Sequence, residues 1–170
     1  MYRANRLPGL LQSEDYARTL VAASSPGVAR PGDERSIGYR MERQRQAKVH
    51  RPRLWVVLDE AALRRQVGGP EVMRAQLEHL VRLSAESEIF LQIIPFTAGA
   101  QIGVELPFAI LAFPDRADPN VVCIRYPTGT VWIEDAPEVR AYDTLFRQLQ
   151  AAALPFRESR AIIATVLGQF

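Results

Sequence analysis

The apolar residues of the chain fall into two rhythms: short, nearly continuous runs and longer stretches with helical spacing. Runs at 54–58 (LWVVL), 89–96 (IFLQIIPF) and 108–113 read as buried strands. Residues 121–126 and 130–134 read as a hairpin around Pro127-Thr128-Gly129. Near the N-terminus, Pro8-Gly9 makes a turn that feeds a helix started by Ser13, Glu14 and Asp15, with Tyr16, Ala17 and Leu20 at helical spacing. Residues 71–84 form a well-patterned helix whose apolar side holds Val72, Leu77, Leu80, Val81 and Leu83, with Pro70 suited to its first turn. Two more helices, 137–153 and 156–168, close the chain, with Asp135 as N-cap of the first and Pro155 between them. The helix at 34–49 differs. It is basic, and its apolar positions are only Ile37, Met41 and Ala47, with Tyr39 beside them. Residues 60–65 suit a helical turn, Val67-Gly68-Gly69-Pro70 a break, and 24–33 and 97–105 loops.

This order predicts an α+β (mixed α/β) fold in one domain spanning 1–170. A small, mostly apolar sheet of about four or five strands is covered by helices, because strands apolar on both faces need cover on both. With 170 residues and a 48% hydrophobic fraction, the chain is large enough for a real core. The net charge of +2 is too small to argue for nucleic acid. The basic residues are almost all arginine, Lys48 being the only lysine. A single cysteine, Cys123, excludes an internal disulfide and a Cys-based zinc site, and its apolar run suits a buried, inert thiol. Neither His50 nor His79 has a second ligand at metal spacing, so no metal is expected. With no P-loop, GxGxxG or Ser-His-Asp pattern, no cofactor is implied. No signal peptide opens the chain, and no apolar stretch approaches the roughly 20 residues a bilayer needs, so a soluble, cytoplasmic protein is expected.

Several segments carry a resemblance together: PGLLQSEDYARTL (8–20), Arg40-Met41-Glu42-Arg43-Gln44, and the long LWVVLDEAALRRQVGGPEVMRAQLEHL (54–80). LQIIPFTAGA (91–100) and PFAILAFPDRADPNVV (107–122) follow in order. Over nearly the whole chain this resembles the C-terminal domain of actinobacterial, Streptomyces-type XRE-like, antitoxin-like transcriptional regulators. In those regulators a helix-turn-helix precedes the domain; here the first matching turn lies almost at Met1, so a stand-alone domain without its own DNA reader is expected. The resemblance implies a domain that binds a small acidic partner protein or a small effector. Two stretches depart from the family pattern. Residues 101–106 (QIGVEL) replace a His- and Gly-rich turn, and Cys123 and Arg125 stand where a tyrosine and an acid are usual.

Candidate chemistry gathers at three places. Glu60, at the end of the first long strand near Trp55, is a candidate general base or cation anchor; the plainer reading is that Asp59 or Glu60 caps the next helical turn. Arg40, Arg43 and Gln44 are candidates for contact with an acidic partner or a second subunit in a homodimer, or for a solvated helix face. Gln92 and Arg125 interrupt apolar strands, and a buried polar group needs a partner. Trp55, Gln92, Phe108, Arg125, Tyr126 and Trp132 are therefore the candidate ligand-binding set, with Glu60 and Arg125 as candidate catalytic groups. Two functions follow from these residues. One is a partner- or effector-binding domain. The other is a cofactor-independent cyclase or isomerase of natural-product biosynthesis, which folds a bound biosynthetic intermediate and needs mainly shape and a few polar groups.

The small net charge and the missing DNA reader predict no sequence-specific DNA binding by this domain alone. A gel shift with purified protein at physiological salt is expected to show no difference between specific and scrambled duplexes.

Overall fold

The computed structural model describes residues 1–3, 6–24, 33–100, 107–115, 117–126 and 129–170. Among these, six strands form one mixed sheet in the order β3-β2-β1-β4-β5-β6. They are β1 (Tyr2–Arg3), β2 (Leu54–Asp59), β3 (Ile89–Ile94), β4 (Phe108–Leu111), β5 (Val121–Tyr126) and β6 (Gly129–Ile133). The helices are α1 (Glu14–Ser24), α2 (Asp33–His50), α3 (Ala61–Arg64), α4 (Pro70–Leu83), α5 (Ala136–Ala152) and α6 (Phe156–Leu167). The α+β class stands, and each long apolar run is a strand. The strand that the apolar pattern does not show is β1, which is two residues long.

That strand joins two parts of the sheet that differ in kind. Strands β2 and β3 are parallel, while β4, β5 and β6 run antiparallel to one another. Between them, Tyr2 lies opposite Val57 in parallel register and opposite Phe108 in antiparallel register. The ladder bonds are short: the Met1 nitrogen donates to Trp55 O at 2.6 Å, and Val57 N donates to Met1 O at 2.9 Å.

The two faces of the sheet bury different sets. Val56, Leu58, Leu91 and Ile93 point to one face, where they pack with Tyr16, Leu77, Leu80, Ile163 and Val166 of α1, α4 and α6. Tyr2, Val57, Ile94, Phe108 and Val122 point to the other, with Val139 and Leu149 of α5. The alternation follows from the strand period of two. Local signals set the helix ends. Asp135 accepts from Glu138 N at 3.2 Å as the N-cap of α5. Pro70 opens α4 behind Gly69, and Gly68 takes φ 78°, where an added Cβ would lie 2.7 Å from Thr19 Oγ1. At the end of α2, Arg51 adopts φ 45° and Pro52 cannot continue the helix.

The outer edge of β3 is closed by the junction of α5 and α6. Leu154 N donates to Ile93 O at 2.8 Å, and Ile93 N donates to the buried Ser159 Oγ at 3.0 Å. That hydroxyl in turn donates to Leu154 O at 3.0 Å. No helix among the described residues is long and apolar enough to cross a membrane.

The fully buried Tyr2 carries the junction, and its hydroxyl has no hydrogen-bond partner among the described residues. Tyr2→Ala is therefore expected to cost about 3–5 kcal/mol in urea unfolding. Tyr2→Phe, which deletes only the unpartnered hydroxyl, is expected to be at least as stable as the parent. Burial, with the Asp59 carboxylate on the same face, pushes the Tyr2 phenol from 10.0 up to about 12. A raised folded-state value means its stability contribution is intact below pH 10.0 and is lost as pH rises toward about 12. Unfolding curves across that window should fall less steeply for Tyr2→Phe, the part due to the buried Tyr16 phenol remaining.

Candidate functional site

The basic helix α2 packs along α1 with Ile37 buried, and hydrogen bonds tie it to the turn at 7–13, which contains the short 3-10 helix Gly9–Leu11. Gln44 Nε2 donates to Gly9 O at 2.7 Å and to Gln12 O at 2.8 Å. Arg40 Nη1 donates to Gln12 Oε1 at 2.6 Å, and Gln12 Nε2 donates to Leu7 O at 2.6 Å. From α4, the wholly buried Gln76 donates to Leu11 O at 2.8 Å and accepts from Ser13 N at 2.6 Å. Three side chains, Gln12, Gln44 and Gln76, thus satisfy the backbone of a turn too irregular to satisfy itself, and Arg40 holds the Gln12 amide in place. Of the three α2 residues expected to meet a partner, Arg40 and Gln44 face inward to this turn, and Arg43 is exposed. Gln76 is the residue the pattern analysis passed over. It lies on the core stripe with Met73, Leu77 and Leu80, where an amide among apolar neighbours signals a buried hydrogen-bonding duty.

Glu60 is buried and fully engaged. Its Oε1 accepts from Arg64 Nε at 2.6 Å, and its Oε2 accepts from Phe96 N at 2.9 Å. Arg64 continues to Gln169 Oε1 at 2.9 Å and lies over the Phe96 ring. Asp59 Oδ1 accepts from Ala61 N at 2.8 Å. The pair therefore holds the ends of β2 and β3 together and opens α3, and both Glu60 oxygens have protein partners.

The six residues expected to line one ligand pocket do not share a face. Trp55, Gln92, Phe108 and Tyr126 lie on the α5 face by register, whereas Arg125 and Trp132 lie on the opposite one. Trp55 stacks on Phe90 with ring centroids 4.7 Å apart. Gln92 Nε2 donates to Gln150 O at 3.3 Å and Leu154 O at 3.2 Å, so this strand amide finishes α5 rather than a cavity. Phe108 is enclosed by Tyr2, Tyr142 and Phe146. The reason is register: a pairing offset of one residue moves a side chain to the other face, and the apolar pattern alone does not set it.

What the hairpin does present is an outer surface. Trp132 is 56% exposed and Leu111 40%, and half-buried Cys123 lies directly opposite Trp132. Arg125 is exposed on the same face as Trp132, two positions along β5 from Cys123. Burial first, then Arg125 and Arg43, hold the Arg40 guanidinium below its ordinary range. Arg125, at the end of β5, is thus close enough to Arg40 for their charges to interact, so Arg40, Arg43 and Arg125 share one positively charged region. Among the described residues, none of the three is in an ion pair. The altered stretch 101–106 and the hairpin turn residues 127–128 lie outside the described residues.

The sequence profile of a family described as Domain of unknown function (DUF5753) matches residues 1–165, so the chain belongs to that family. No curated protein and no solved structure matches it.

The inward placement of Arg40 separates it from Arg43 in stability. Arg40→Glu is expected to lower the urea midpoint by removing the 2.6 Å bond to Gln12, while Arg43→Glu should stay within about 0.5 kcal/mol. Gln76→Ala leaves a buried carbonyl and a buried amide of the turn unpaired and should cost about 2–4 kcal/mol.

Proposed function

We propose that this DUF5753 member is a protein-interaction domain that docks a small acidic partner protein on the hairpin surface beside α2. The role is that expected for the C-terminal half of the XRE-type regulators its sequence resembles. The observation that carries the reading is the pairing of two features at one place. Exposed Trp132 shares a sheet face with Arg125, and neither Arg125 nor Arg43 has a carboxylate partner among the described residues. Interfaces of stable partners combine a desolvated aromatic anchor with charge complementarity that steers encounter. An acidic segment over Arg43 and Arg125 would place its own apolar side chains on Trp132. The catalytic reading has less to stand on, because Glu60 is saturated by Arg64 and Phe96 N, and Gln92 and Arg125 are on opposite faces.

The chain has two tryptophans, so a Trp55→Phe background leaves Trp132 as the sole reporter. Titration with an acidic peptide of Asp, Glu and interspersed Leu should shift Trp132 fluorescence saturably, and more weakly as salt rises. A peptide with Lys in place of each acid should give no saturable shift. Arg43→Glu combined with Arg125→Glu should weaken the acidic peptide by tenfold or more, about 1.4 kcal/mol or above. An equal response to both peptides, or affinity untouched by the double reversal, would overturn the proposal.

A further inference from the structure

A second site lies at the other end of α2. A cavity of about 330 Å³ opens between the last turns of α2, helix α4 and the starts of β2 and β3. Its volume is within the range of small-molecule pockets. The apolar lining comes from Leu10, Ala47, Leu54, Leu83 and Ile89. Two nitrogen groups face it without a hydrogen-bond partner among the described residues: the imidazole of His79 on α4 and the ammonium of Lys48 on α2. Lys48 is the only lysine in a chain that otherwise uses arginine, so this pocket alone is lined by a compact, strongly hydrated point charge on a flexible stem. Lys48 stands eight residues beyond Arg40, or about 12 Å along the helix, so the pocket is separate from the hairpin surface.

The charges around the cavity are not evenly placed. Arg51 and Glu88 neutralise each other at 2.7 Å, which leaves Lys48 and Glu86 as its uncompensated lining charges. Burial first, then Arg82 and Lys48, hold the His79 imidazole below its ordinary range. A neutral imidazole can donate one hydrogen bond to an oxygen anion that also takes the Lys48 ammonium.

We infer that this cavity is a binding site for a small lipophilic carboxylate, whose chain lies on the leucine- and isoleucine-lined floor and whose head group meets Lys48 and His79. The inference does not depend on the hairpin surface, since neither site shares a residue with the other.

Octanoate, octanol and octylamine share one chain and differ in head group, so they test the assignment on the unmodified protein. Imidazole NMR signals report binding, with His50, which does not line the cavity, as the internal reference. Octanoate should perturb His79 selectively, raise the pH at which it titrates, and bind at least tenfold more tightly than octanol. Octylamine should bind least. Lys48→Glu, at an exposed position, should leave the fold intact and remove the preference for octanoate over octanol. The inference is overturned if octylamine binds as well as octanoate, which would make Glu86 the deciding charge. It is equally overturned if all three leave His79 unperturbed at millimolar concentration, or if Lys48→Glu leaves the head-group preference unchanged.

Discussion

Everything in this domain hangs from the pairing of Tyr2 with Val57 on one side and Phe108 on the other. A parallel pair and an antiparallel triplet of strands have no common hydrogen-bond pattern, and a short strand between them has to satisfy both. Here two residues do so, with Tyr2 sealed between the halves and its ring 6.3 Å from that of Phe108. The same residue anchors the core beneath α5, while its neighbours Val56 and Leu58 on β2 anchor the core beneath α4 and α6. Full burial of a large side chain contributes roughly 1.5–3 kcal/mol. That is enough for one position to decide whether the halves act as a single sheet.

The second organising device is a set of amides. Gln12, Gln44 and Gln76 converge on the turn at 7–13 and supply the partners that helix or sheet would otherwise provide. This explains how α2 can dock with so few apolar residues. Buried amide bonds are worth little each but are costly to break singly, so the turn and α2 are tied in one geometry. One face of α2 is thereby committed to the domain, and its other arginines are left outside. The cationic cluster near the hairpin and the lysine-lined pocket at the far end both follow from that division.

The two edges of the sheet are treated differently, and so are its faces. At β3, Ser159 and Leu154 occupy the free backbone groups of Ile93, which removes that edge as a template for further strands. At the hairpin, Leu111 and Trp132 stay exposed on the face away from α5. Exposed large apolar groups beside charge are characteristic of surfaces that meet something else. The fold thus concentrates its rigidity at the β2–β3 side, where Glu60, Arg64 and Phe96 also join the strand ends, and leaves contact surface on the β5–β6 side.

The sequence by itself determined the elements: the apolar runs for the long strands, the helical spacing of α4, α5 and α6, the Asp135 cap and the Gly-Gly-Pro break. These depend on period and on local backbone chemistry, which a single chain displays directly. Four polar residues that the sequence singled out, Arg40, Gln44, Glu60 and Gln92, each make specific contacts within the fold. Only the tertiary structure decided what those residues do. Strand order and register assign each side chain to a face, and they placed Arg125 and Trp132 opposite Gln92. The two-residue β1 carries no periodic signal at all, because its strand character comes from its neighbours' backbone groups. The pocket beside His79 joins residues up to 79 positions apart in the chain, from Leu10 to Ile89. No local pattern records such a meeting, because proximity across that separation is created by packing alone.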